Sequence, residues 1–199
     1  MPDIESRGVV RVIPNLVAAM EHRCGGSRYL FDAYAFPYRA LVQRELRLAK
    51  VDRSETVMHI GCGSLPFTAV LAARLSGARV IAVDRDHAAV CNARRVVRRL
   101  GLTGHGGGNI TIIHAEAGSD DLPRADVVLV ALQATGKRAI LDNIARTTGA
   151  SRVVFRLPRP GLEADYGTLG GVLEPAGVCR HRMPTFDRSA LYRISGRTP

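Results

Sequence analysis

The run Thr56-Val57-Met58-His59-Ile60 passes without a spacer into Gly61-Cys62-Gly63, and nothing else in the sequence limits the fold as much. Apolar and β-branched residues of this length make a short buried strand. Two glycines one residue apart let the backbone bend sharply at the strand's end, and they leave no side chain above the bend. A helical segment, Phe67 to Ser76, follows. The alternation then continues with a strand from Arg79 to Val83 that ends on Asp84, a helix from Ala88 to Leu100, and a strand from Ile110 to His114. After these come a strand from Asp126 to Ala131, a helix from Lys137 to Thr147 and a strand from Arg152 to Leu157. Strands alternating with helices of roughly ten residues specify an α/β fold with a mostly parallel sheet and right-handed crossovers.

Ahead of the first strand, residues 8–50 read as helical. Val9, Val12, Leu16, Val17 and Met20 recur at helical spacing, Gly25-Gly26 breaks the pattern, and Tyr29 to Lys50 resumes it. Pro37 is expected to kink that stretch or begin a new helix there. This divides the chain into a helical lid segment, residues 1–50, and a ligand-binding domain, residues 51–199. Val178 to Met183 and Ala190 to Ile194 form the expected C-terminal antiparallel hairpin, and Gly104 to Gly108 a loop.

A chain of 199 residues with 46% hydrophobic and 23% charged residues has the balance of one folded α/β domain. No apolar run approaches the roughly 20 residues of a membrane span. Met1 to Arg7 carries Asp3 and Glu5 with no hydrophobic block behind them, so no secretory signal is read and a cytoplasmic location is expected. Cys24, Cys62, Cys91 and Cys179 are scattered, with neither CxxC nor zinc-ligand spacing, which predicts free, mostly buried thiols and no metal. The net charge of +10 raises the question of a nucleic-acid partner. Lysine occurs only at Lys50 and Lys137, and the basic residues are dispersed except for Arg94, Arg95, Arg98 and Arg99 on one helix. A solvated helix face is favoured there, with a polyanion contact as the alternative.

The chemistry is carried by His59-Ile60-Gly61-Cys62-Gly63-Ser64-Leu65-Pro66 together with Asp84. Backbone N–H groups at such a bend and at the following helix face a ligand. An acid about 20 residues on, at the tip of the next strand, is placed to accept hydrogen bonds from both hydroxyls of a ribose. Pro66 stands where a dinucleotide site needs its third glycine, which argues against NAD or FAD. As a set, residues 52–160 resemble a class I, Rossmann-like, S-adenosylmethionine-dependent methyltransferase. The resemblance implies a Rossmann-like doubly wound sheet and S-adenosylmethionine as cofactor. It also implies that Gly61 and Gly63 face the amino-acid part of the cofactor. Cys62 between them has no evident adjacent base to generate a thiolate, so it is read as a filler rather than a nucleophile. Asp84 would hold the ribose with Arg85 beside it, Glu116 and Ala117 would flank the adenine, and Ala131 to Gln133 would lie near the sulfonium.

A narrower likeness concerns which group moves. Gly61-Cys62-Gly63-Ser64-Leu65-Pro66-Phe67-Thr68 is similar to the Gly-Ser-Gly-Pro-Leu-Pro-Leu-Thr signature of nicotianamine synthases and their bacterial metallophore relatives. Cys62 and Ser64 depart from it, and the N-terminal helical part is about half that family's. The likeness extends to Val128 to Leu132, Gly136-Lys137 and Arg156, and to the Tyr34-Ala35-Phe36-Pro37-Tyr38 segment with Leu41 and Glu45. It implies that Tyr34, Tyr38 and Glu45 hold the transferred arm or deprotonate an acceptor amine. The alternatives are core packing for the tyrosines and a surface salt bridge for Glu45. A local structural role is expected for His59, and surface or core positions for His87, His105 and His114. Methyl transfer to a small-molecule acceptor leads. The alternatives are nicotianamine synthase-like 3-amino-3-carboxypropyl transfer, RNA methylation, and a cofactor-binding module without catalysis.

Overall fold

The computed structural model describes residues 28–104, 109–167, 169, 171 and 173–194. The expected helix ahead of Gly25-Gly26, Cys24, His105 and most of the Gly104–Gly108 loop lie outside the described residues. The elements are α1 (Arg28–Leu48), β1 (Thr56–Ile60), α2 (Phe67–Ser76), β2 (Arg79–Asp84), α3 (His87–Arg99), β3 (Ile110–His114) and β4 (Val127–Val130). They continue with α4 (Lys137–Thr147), β5 (Arg152–Pro158), α5 (Glu163–Tyr166), β6 (Gly177–Arg180) and β7 (Phe186–Arg193).

The seven strands form one sheet in the order β3-β2-β1-β4-β5-β7-β6. β1 pairs in parallel with both β2 and β4, while β7 runs antiparallel between β5 and β6. This is the expected doubly wound, Rossmann-like sheet. β7 is longer than its sequence suggested, beginning at Phe186 and pairing along most of β5, whereas β6 is shorter and ends at Arg180. Side chains alternate across the sheet, as the strand period of two requires. Val57, Val80, Ala82, Leu129 and Val154 pack with α1, α2 and α3, whereas Met58, Ile60, Val83, Val130 and Phe155 pack with α4.

Two local features position the site. The strand order reverses between β1 and β4, and in doubly wound sheets a crevice opens beyond the C-terminal strand ends at that point. α1 runs through Pro37 without interruption, contrary to the expected kink or restart. Pro37 and Ala33 are both exposed, so water can satisfy the Ala33 carbonyl that the proline leaves without a donor. α1 docks on α2 through Phe31 and Phe67, whose ring centroids are 4.9 Å apart, and through Tyr38 stacked on Phe67 at 5.8 Å. An Asp32–Arg74 ion pair joins the same two helices.

Candidate active site

A cavity of about 760 Å³ opens at the C-terminal ends of β1, β2 and β4, as the strand reversal predicts. At its centre the backbone bends at Gly61 and Gly63, with φ of 79° and 64°. Gly61 and Cys62 donate their N–H groups to the Val83 carbonyl at 2.9 and 3.1 Å, which ties the bend to the end of β2. A Cβ on Gly61 would stand 3.1 Å from the Ala131 Cβ, while one on Gly63 would meet nothing within 4 Å. We therefore expect Gly61→Ala to lower stability by about 1–3 kcal/mol. Gly63→Ala, strained only by its backbone, should cost less. Thermal unfolding of the two variants checks that order.

Asp84 braces the bend. Its Oδ2 accepts from Gly63 N–H at 2.7 Å and its Oδ1 from Asp86 N–H at 3.0 Å, so each oxygen keeps a free lone pair at the cavity. Asp86 in turn caps α3 by accepting from Ala88 and Ala89 N–H at 2.8 and 3.3 Å. Arg85 crosses the rim, donating to Thr135 Oγ1 at 3.3 Å and facing the Glu116 carboxylate at 3.7 Å. Ala117 and Ala131 are buried in the wall, and Ala131 N–H donates to the Ile60 carbonyl at 3.0 Å. Lys137, itself buried, fixes the turn after β4 by donating to the carbonyls of Leu132 and Ala134 at 2.9 and 3.1 Å. Burial pulls its pKa down to about 8. Cys62 is a poor nucleophile here, since burial and then the charge of Asp84 push its thiol up to about 12.

Gly61, Cys62, Gly63, Asp84, Arg85, Glu116, Ala117, Ala131 and Gln133 all line this one cavity, whereas Leu132 is buried and does not. Tyr34 and Tyr38 line it from α1, the first exposed and the second half-buried. Glu45 does not line it. Its side chain is fully buried behind Arg156, whose Nε and Nη2 donate to the two carboxylate oxygens at 2.9 and 2.8 Å. Ser189 Oγ donates to the same carboxylate at 2.7 Å and shares a 2.8 Å hydrogen bond with His181 Nε2. Burial alone would raise the Glu45 pKa, but the charge of Arg156 and the hydrogen bonds from Arg156 and Ser189 outweigh it and hold it low. A surface salt bridge is thus excluded for Glu45, because the pair is buried.

Two residues of the cavity lining, Arg156 and His59, stood in the sequence motifs but were given no role in binding or catalysis. Arg156 lines the cavity while its Nη2 also donates to Thr68 Oγ1 at 3.0 Å. A charged residue inside the otherwise apolar run Val153-Val154-Phe155-Arg156-Leu157, and an acid among Leu41, Val42 and Leu46 on a buried helix stripe, were the signals for this pair. His59 also lines the cavity, with neither ring nitrogen partnered. His87 and His114 are exposed, their rings 5.5 Å apart. Cys62 is buried, whereas Cys91 and Cys179 are only half-buried. Among the described residues no metal-ligating cluster occurs, and no helix is long and apolar enough to cross a membrane. The Arg94, Arg95, Arg98 and Arg99 face of α3 is exposed, with Arg94 Nε donating to the Ile112 carbonyl at 3.1 Å.

The sheet order and the cavity at its reversal define the Rossmann-like fold of S-adenosylmethionine-dependent methyltransferases. The structure is similar to that of a mutant of the nicotianamine synthase MtNAS in complex with S-adenosylmethionine, with a TM-score of 0.67 and 25% identity, covering 79% of this chain and 62% of that one. In sequence the chain is similar to L-histidine 2-aminobutanoyltransferase of Yersinia pestis, 29% identical over 125 residues, or 63% of this chain and 46% of the relative. A protein of the same name from Pseudomonas aeruginosa is 27% identical over 162 residues, or 75% of this chain and 57% of the relative. The chain spans about half the length of these curated relatives. No family model matches it.

Proposed function

We propose that the chain is an S-adenosylmethionine-dependent transferase that moves the 3-amino-3-carboxypropyl arm of its donor onto an amine of a small, amino-acid-type acceptor. The observation that carries this reading is the composition of the cavity. Its lining combines the glycine bend and the free lone pairs of Asp84 with two tyrosines and a buried arginine. The names of both curated relatives fit it.

The residues present fit the donor. Asp84 presents two carboxylate oxygens where a ribose needs acceptors, and the bend over Gly61 and Gly63 leaves room for the amino-acid arm. Glu116 and Ala117 would flank the adenine, and Ala131 would bound the sulfonium. When bound, the donor supplies a sulfonium that activates each of its three attached carbons, so position decides which group leaves. Tyr34 and Tyr38 would hold the acceptor nitrogen at the arm's end of the cavity. Glu45, occupied by Arg156 and Ser189, would act as a positioning residue that fixes the guanidinium. Residues 1–50 would act as the lid segment over the binding domain of residues 51–199, with α1 contributing its two tyrosines.

Product analysis tests the proposal. Incubation with S-adenosylmethionine and a panel of L-amino acids should release methylthioadenosine and an adduct heavier by the aminocarboxypropyl group. Accumulation of S-adenosylhomocysteine, with a small molecule or with RNA as acceptor, would replace this reading with methyl transfer.

A further inference from the structure

His59 is the cavity residue for which the proposed function has no use. Its side chain is 3% exposed, its ring lines the cavity, and neither Nδ1 nor Nε2 has a hydrogen-bond partner. Among the described residues only one other buried side-chain atom, Nδ1 of His181, is left without a partner, and the opposite nitrogen of that ring is bonded to Ser189. Two unpartnered polar atoms are costly to bury, and a phenyl ring would fill the same space without that cost. The imidazole's polarity is therefore of use only when something polar fills the cavity.

The neighbourhood says what that group is. Burial, and then the charge of Arg156, pull the His59 ring down to about 3, so it is neutral at physiological pH with one N–H donor and one lone pair. Strand alternation puts His59 on the sheet face of Val57 and Arg156 on the face of Val154, and that is the same face. The Nε and Nη2 groups of Arg156 are spent on Glu45 and Thr68, while Nη1 has no acceptor among the described residues. Both oxygens of Glu45 are taken, and Glu45 does not line the cavity. His59 and Arg156 thus bring an N–H donor and a positive charge to one face of the cavity, and Glu45 has no free oxygen to meet them.

We propose that His59 and Arg156 form a carboxylate-binding pair, with Arg156 Nη1 and the imidazole N–H donating to the carboxylate of an amino-acid-type ligand. The inference rests on the reading that the cavity takes S-adenosylmethionine. The carboxylate belongs either to the donor's transferred arm or to the acceptor, and the test separates the two. Wild type, His59→Phe and His59→Gln are titrated calorimetrically with S-adenosylmethionine, decarboxylated S-adenosylmethionine, L-histidine and histamine, the last two with methylthioadenosine present. In one of the two pairs the wild type should favour the carboxylate-bearing member by about tenfold or more. His59→Phe should remove most of that preference by weakening that member alone, and His59→Gln, which keeps an N–H donor, should retain part of it. The pair that responds identifies the source of the carboxylate. The empty His59→Phe protein should unfold at the wild-type temperature or above it, and a marked drop would assign His59 a structural role and overturn the proposal. Ratios unchanged within twofold, with uptake of S-adenosylmethionine preserved, overturn the carboxylate pair alone. A wild type that takes up no S-adenosylmethionine overturns the underlying functional reading, and the pair with it.

Discussion

Replacing Arg156 by alanine should lower the free energy of unfolding by about 3–5 kcal/mol, because it strands the Glu45 carboxylate in the core. Glu45 and Arg156 are both buried, with bonds of 2.8 and 2.9 Å between them. Urea unfolding measures the loss. The double substitution Glu45→Leu with Arg156→Met should recover most of that stability, since well-packed apolar groups can replace a buried ion pair at little net cost. It should not recover turnover, because Arg156 also lines the cavity. Separation of stability from activity in the double variant would show that the pair is kept for the site. The pH dependence has a definite sign. The folded-state pKa of Glu45 lies below its ordinary value, and Arg156 stays cationic throughout. The pair's contribution is therefore complete above the ordinary carboxylate pKa and is lost as pH falls through the lower folded value.

The second large effect is on binding. Asp84→Asn should weaken uptake of S-adenosylmethionine by about 100-fold, close to 3 kcal/mol. Hydrogen bonds to a charged acceptor contribute about 1.5–3 kcal/mol each, and the substitution removes the charge that two ribose hydroxyls would share. The protein should remain folded. Asparagine has one oxygen where Asp84 uses two, so either the Gly63 or the Asp86 N–H loses its acceptor, at a cost of about 1 kcal/mol. Calorimetric titration beside a thermal melt measures both numbers. Unchanged affinity in a folded variant would remove Asp84 from the binding site.

The half of the site made from one local motif was readable in the sequence. A strand ending on Gly61-Cys62-Gly63, with Asp84 closing the neighbouring strand, needs only nearest-neighbour pairing to bring its parts together, and the β1–β2 register does so. The other half was not readable in the same way. Glu45 and Arg156 are 111 residues apart in sequence, and only the packing of α1 over the sheet makes them partners. Each was visible as a charge among apolar residues, but nothing local says that the two anomalies answer one another. His59 shows the same limit, since spacing places it beside the glycine bend but only the fold reveals that its nitrogens are unpartnered. Pro37 misled for a physical reason, because an exposed proline on a docked helix removes a hydrogen bond that water can replace.

The most direct measurement is a crystal structure of the protein with S-adenosylmethionine bound. Ribose hydroxyls should sit on the Asp84 carboxylate, with the γ-carbon of the aminocarboxypropyl arm turned toward Tyr34, Tyr38 and Arg156. A methyl group pointing into that space would contradict arm transfer, and an adenosyl group seated away from Asp84 would contradict the site itself.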